Sequence, residues 1–203
     1  MISDLIVLLG WIKKKSDKGV GRGKRFLKGS MISQEVIRSI LGRYTLPWEG
    51  THGVPHWARV LENGRHLSEA TGAQRDIVEL FAVFHDSQRI NEGVDDGHGR
   101  RGSELARDLR GIVYELDDKA FDLLIKACDL HTEGYLDGDV TLCTCWDADR
   151  LDLGRVGITP RLEKLCTEGA KDSGLLKWAV KRSEGLFVPG LVSEEWGVLL
   201  LRR

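Results

Sequence analysis

Residues 74–89 read QRDIVELFAVFHDSQR. Ile77, Val78, Leu80, Phe81, Ala82, Val83 and Phe84 crowd its centre, and a run this long and this apolar predicts a helix over Gln74–Arg89 that is buried on most of its faces. Its C-terminal half then carries His85 and Asp86 side by side. An ionised carboxylate buried without a partner costs several kcal/mol, so Asp86 requires a cation or strong donors.

Working outward, the same helical spacing recurs. Val36, Ile37, Ile40 and Leu41 place a helix over Glu35–Tyr44, and Leu46-Pro47-Trp48-Glu49-Gly50 reads as a turn. Pro55 stands near the start of a helix that carries His56, Val60 and Leu61 and ends around Thr71-Gly72. Asn91–Gly97 is a polar loop, and helices are expected at 99–112, 117–132, 141–153, 160–168 and 173–184. After Pro189-Gly190, Ser193–Leu201 forms a last helix or an extended piece. No strand alternation is found, so the fold class is all-α, a helical bundle whose core buries Phe81, Phe84, Leu123 and Ile125.

Two hundred and three residues suit one domain with extensions. The net charge of −1 points to no particular partner, but it conceals an asymmetry. Residues 1–30 hold eight Lys or Arg against Asp4 and Asp17, and residues 31–203 hold 22 basic and 29 acidic side chains. The expected organisation is a basic, flexible arm over 1–30 and a single helical domain over 31–203 that includes a C-terminal helical extension. Gly19–Lys24 is not a phosphate loop, since Lys18 stands where its first glycine belongs and Arg25 where Ser or Thr belongs. Nucleic-acid contact by the arm is the less favoured reading. Leu5–Ile12 is too short to span a bilayer and precedes the basic run instead of following it, so no membrane association is expected and the chain reads as cytoplasmic. The four cysteines show no CxxC spacing and read as reduced thiols; Cys143 and Cys145 would diverge by about 200° on a helix.

Four further positions share the chemistry of the doublet: His56 in HWARV, His98 in DGHGRRG, His131 in DLHTEG and Asp149 in DADRLD. Taken singly, each reads as an ordinary structural residue. Jointly the order H…HD…H…H…D supplies imidazole and carboxylate donors suited to a divalent first-row ion. His52 lies four residues before His56 and is a candidate to contact substrate or a water. His66 has no motif around it and reads as exposed, and Trp48, Trp57 and Trp146 read as core in preference to a stacking wall.

These residues carry a resemblance. His56 within HWARV, His85-Asp86 within FHD and Asp149 within ADRL are similar to the H…HD…D motif of the HD-domain superfamily of metal-dependent phosphohydrolases, over roughly residues 50–160. His98 and His131 resemble positions that binuclear branches use for a second metal. The resemblance implies an HD-like all-α fold and a hydrolase acting on a phosphate ester or anhydride of a nucleotide or similar small phosphorylated metabolite. It implies one divalent ion on His56, His85, Asp86 and Asp149, and a second on His98 and His131 with Asp86 bridging. Mn, Fe, Co, Ni, Zn and Mg are not distinguished by such donors. Asp86 is the expected essential ligand. Phosphate-holding candidates are Arg59, Arg89, Arg100, Arg101 and Arg150, with Arg59 and Arg150 preferred as catalytic partners because they stand nearest to ligands in sequence. Two other readings use the same residues: an HD-fold di-iron oxygenase, and a non-catalytic nucleotide-binding module that keeps its metal.

Overall fold

Helix ends in this chain are set by side chains that accept the unsatisfied first-turn N–H groups. Ser33 accepts from Val36 N ahead of α1 (Gln34–Leu41), Asp117 from Ala120 N ahead of α5 (Asp118–Leu130), and Asp139 from Thr141 N ahead of α6 (Val140–Arg150). Between them lie α2 (Val54–Thr71), α3 (Arg75–Phe84) and α4 (His98–Leu109). α2 has Pro55 in its first turn and stops at Gly72, whose φ of 73° is a conformation glycine adopts without a Cβ penalty. The computed structural model describes residues 30–200, so the expectations for the basic arm fall almost wholly outside the described residues. Among those residues the fold is all-α, with no strand and no helix long and apolar enough to cross a membrane.

The C-terminal part is shorter-stepped than its sequence predicts. Where a helix is expected over 160–168, the chain makes a 3-10 turn at Leu162–Lys164 and then the single-turn α7 (Glu168–Lys171), and another 3-10 turn, Leu153–Val156, lies ahead of the segment. The side chain of Thr167 accepts from Ala170 N and starts α7 as a separate turn. α8 (Ser173–Glu184) follows, and α9 (Leu191–Glu194) is one turn, with the residues after it non-helical.

α3 is the central helix, in contact with α2, α5, α6, α4 and α1. Phe81 and Phe84 are fully buried on it, and burying each such ring contributes about 1.5–3 kcal/mol. Ile125 is buried as expected, but Leu124, not Leu123, faces the core of α5; Leu123 is only partly covered. Trp57 and Trp146 are core residues, whereas Trp48 is 40% exposed in the turn before α2. Close helix approach depends on glycine: a Cβ on Gly64 of α2 would fall 2.4 Å from Val78 Cγ1, and one on Gly102 of α4 would fall 2.3 Å from the Phe84 carbonyl.

One polar residue of α3 ties the start of the described chain to the bundle. Glu79 is 1% exposed; Arg65 and Arg75 donate to Oε1 at 2.9 and 3.0 Å, and Ser30 Oγ and Met31 N to Oε2 at 2.8 and 2.9 Å. Burial alone would raise the pKa of this carboxyl, but the two guanidiniums and the Ser30 and Met31 donors hold it below its usual 4.5. A depressed folded-state pKa adds stability above the unfolded value and loses it as pH falls through the folded one. Glu79→Gln is therefore expected to cost about 1–3 kcal/mol at about pH 7. The gap from wild type should close as pH falls below the ordinary carboxylate range, read from thermal unfolding across acidic pH. A gap independent of pH would show that the carboxylate charge is not what stabilises.

Candidate metal centre

The expected helix over Gln74–Arg89 ends five residues early, at Phe84, and this early end builds the site. His85 is its C-cap residue, and the chain then tightens: Ser87 N donates to Phe84 O, Arg89 N donates to Asp86 O, and Ser87 Oγ also turns back to Phe84 O. In this turn the neighbouring side chains of His85 and Asp86 both reach inward, and both are buried. α2 brings His56, α4 brings His98, the end of α5 brings His131 and the last turn of α6 brings Asp149.

The ligand atoms form two groups. In the first, His56 Nε2 lies 3.1 Å from His85 Nε2, 3.4 Å from Asp86 Oδ2 and 3.5 Å from Asp149 Oδ1, and His85 Nε2 lies 3.7 Å from Asp149 Oδ1. In the second, His98 Nε2 is 2.9 Å from His131 Nε2 and 3.0 Å from Asp86 Oδ1, with His131 Nε2 3.8 Å from that oxygen. Two atoms each about 2.1 Å from one ion, at angles of about 90–110°, lie about 3.0–3.4 Å apart, so both groups are spaced as ligand sets. Asp86 turns one oxygen to each group.

Tautomers are fixed from behind. Nδ1–H of His85 donates to Phe81 O at 3.1 Å, that of His98 to Asp95 O at 2.6 Å, and that of His131 to Cys128 O at 2.7 Å. A carbonyl cannot donate, so the proton sits on Nδ1 and the lone pair of Nε2 faces the centre. His56 does the same through Asp152, whose Oδ2 accepts from Nδ1 at 2.8 Å. Arg59 in turn donates to both oxygens of Asp152. Burial would raise the Asp152 carboxyl, but the bonds and charges of His56 and Arg59 hold it below its ordinary range.

Between His56 and His85 the facing Nε2 atoms thus meet lone pair to lone pair, which is repulsive unless positive charge lies between them. Burial drives His85 down to about 3 against the pull of Asp86 and Asp149, so its own protonation does not supply that charge near neutral pH. For His131, burial also lowers the pKa, but the Asp86 carboxylate outweighs it and raises the value overall. Asp86 and Asp149 both lie below the ordinary carboxylate range: burial opposes this, and the charges and hydrogen bonds around them, from His85 first and for Asp149 also from Arg155, override it. Asp86 Oδ1 and Asp149 Oδ1 are buried without a hydrogen-bond partner, the expected condition of oxygens made to ligate a cation. The donor set, its spacing, the tautomers and these orphaned oxygens all fit a divalent metal ion.

The arginines sort differently from their order in sequence. Arg59 is buried, with its hydrogen bonds made to Asp152 and to the Phe187 carbonyl, and through Asp152 it stands behind His56. Arg150 follows Asp149, but one residue is about 100° of helix turn. Its guanidinium points away, to the carbonyls of Tyr135 and Lys164 and to Cys166 Sγ, where it fastens the chain beyond α6. Arg100 is exposed beside Glu104, and Arg101 is tied to Asp95. Arg89 stays at the centre, with Nη1 3.2 Å from His98 Nε2 and 3.6 Å from Asp86 Oδ1. His66 is exposed, edge-on to Trp178.

Asp152 and Arg155 are the participants that sequence reasoning missed. Arg155 Nη2 stands 3.7 Å from Asp149 Oδ1 and 3.5 Å from His52 Nδ1, and its Nε is buried without a partner. His52 Nδ1 meets Asp86 Oδ2 at 2.8 Å. A signal was present in spacing alone: Asp149, Asp152 and Arg155 recur at i, i+3, i+6, and His52, His56 and Arg59 at i, i+4, i+7, although α6 ends at Arg150 and α2 begins only at Val54.

Comparison with family models, with curated proteins and with solved structures finds no match.

Two substitutions probe the two groups separately. A Cβ on Gly99 would fall 2.3 Å from Cys128 O and 2.9 Å from His131 Nδ1, on the bond that orients His131. Gly99→Ala is therefore expected to cost about 1–3 kcal/mol in thermal unfolding and to lower metal content by elemental analysis without abolishing it. Asp152→Asn keeps the shape but removes the ionised acceptor behind His56, and is expected to weaken metal binding about 10–100-fold in a chelator-competition titration. Unchanged metal affinity would rule out Asp152 as the residue that sets the His56 lone pair.

Proposed function

We propose that this chain is a metal-dependent phosphohydrolase with a binuclear His/Asp centre, as its resemblance to the HD-domain superfamily implies. The observation that carries the reading is Asp86, whose two oxygens face separate histidine pairs, each with its lone pairs turned inward. One ion would be held by His56, His85, Asp86 and Asp149, and a second by Asp86, His98 and His131. Divalent ions supply there the Lewis acidity that makes water nucleophilic near neutral pH and offsets charge on phosphoryl oxygens.

The chain's own residues do the rest. Arg155 holds the phosphoryl oxygens: its side chain is 5% exposed and it keeps an unpartnered N–H beside Asp149. Arg89, beside Asp86 and His98, adds fixed positive charge on the other side. His52, at the edge of the centre on Asp86, passes a proton to the departing oxygen. In the overall change, a water oxygen bonds to phosphorus, the ester P–O bond breaks, and the alcohol leaves carrying one of the water's protons.

The expected result is phosphate release from a panel of phosphate esters and anhydrides that depends on added Mn, Fe, Co, Ni or Mg and falls about 10³-fold or more in Asp86→Ala. Release at the Asp86→Ala background with every metal would sink the reading. A di-iron oxygenase is the second reading, favoured by the completeness of the Asp86–His98–His131 group. Consumption of dioxygen by the iron-loaded chain, without phosphate release, would move it to the front.

A further inference from the structure

Next to the centre lies a cleft of about 1040 Å³, with Arg59 and Arg155 among its lining residues. Its charged lining is sparse. Arg59 is fully engaged, and besides the two arginines the charged side chains on the walls are, among the described residues, Glu49 and Glu92. The remaining walls are largely aliphatic, with Pro47, Leu186, Val188, Val192 and Leu199 among them, and no aromatic ring is present among the described residues that line it. Leu186, Val188 and Leu199 are 61%, 46% and 84% exposed, far more than isolated structural leucines and valines need to be.

The wall is also strained where it meets this space. Leu186 has φ +48°, the one described non-glycine residue in the left-handed region, and such strain persists only where the surroundings impose it. Here they do so through the next residue, Phe187. The Phe187 carbonyl accepts from Arg59 Nη1, and the Arg182 guanidinium lies 4.0 Å over the Phe187 ring. The loop that presents Leu186 and Val188 is thus pinned to the arginine that holds Asp152 and, through it, His56.

We propose that this cleft receives the body of the substrate, and that the substrate is a phosphate monoester of an aliphatic alcohol, not a nucleotide; this rests on the phosphohydrolase reading of the centre. A single phosphate head meets Arg155, which lines the cleft and stands beside Asp149 of the centre. Among the described residues the walls offer a base no aromatic ring to stack on, and Glu92 stands against a second phosphate. A hydrocarbon chain, by contrast, removes Leu186, Val188 and Leu199 from water.

The test is calorimetric titration of the full chain, in the presence of Mn²⁺, with methylphosphonate, n-octylphosphonate and a phosphonate analogue of a nucleoside monophosphate. None of these probes is hydrolysed, so the readout is affinity. Octylphosphonate is expected to bind at least about tenfold tighter than either of the others. In Leu186→Gly, where glycine accepts the backbone angle and the fold is kept, the octyl-to-methyl ratio should fall toward one. In Arg155→Gln both alkyl probes should weaken alike. Equal affinity for the octyl and methyl probes, or tighter binding of the nucleoside analogue, overturns the proposal. Phosphate release from a small aryl phosphate alongside equal affinities would keep the hydrolase and reject the aliphatic substrate. Chain-length-dependent binding with no phosphate release from any ester would keep the aliphatic occupant and reject the hydrolase.

Discussion

A buried carboxylate that must stay ionised organises this molecule. Asp86 sits at the end of the most apolar helix, 2% exposed, with one oxygen toward His56 and His85 and the other toward His98 and His131. Desolvating such a group is costly unless charge of the opposite sign is brought to it from several directions. The arrangement of the helices answers that need. α3 stops so that two consecutive side chains turn inward, and α2, α4, α5 and α6 each deliver one more ligand to the same point.

What makes the point a ligand set and not merely a polar core is the control of proton position. His85 and His131 both stand at C-cap positions, where their Nδ1–H groups reach backbone carbonyls three or four residues back, that of Phe81 already accepting from His85 N. Backbone geometry thereby orients both imidazoles at no expense in extra side chains. His56, inside a helix, lacks that option, and Asp152 and Arg59 take the carbonyl's place. The same Arg59 reaches the Phe187 carbonyl, so the orientation of one ligand and the shape of the neighbouring cleft are fastened by one side chain.

The position of α4 shows how narrow the tolerances are. Gly99 and Gly102 let this helix approach the carbonyls of Cys128 and Phe84 closely enough for His98 to face His131. A Cβ at either place would hold the helix away, and the second histidine pair would open. In sequence these glycines resemble helix-weakening residues. In the packed bundle they are the condition for the centre.

The sequence by itself determined the all-α class, the apolar identity of α3 and the six residues His56, His85, Asp86, His98, His131 and Asp149, because helical periodicity and donor chemistry are both written in residue type and spacing. It did not show that the segment expected to be helical over 160–168 divides ahead of Glu168, where Thr167 caps a separate turn. Only the tertiary structure decided which arginines serve the site, since proximity in sequence to a ligand says nothing of direction around a helix. It turned Arg150 outward, spent Arg59 on Asp152 and brought in Arg155. It alone also decided where each imidazole proton sits and which oxygen of Asp86 faces which pair. Those depend on carbonyls and side chains that converge from separate helices, and no local pattern encodes that convergence.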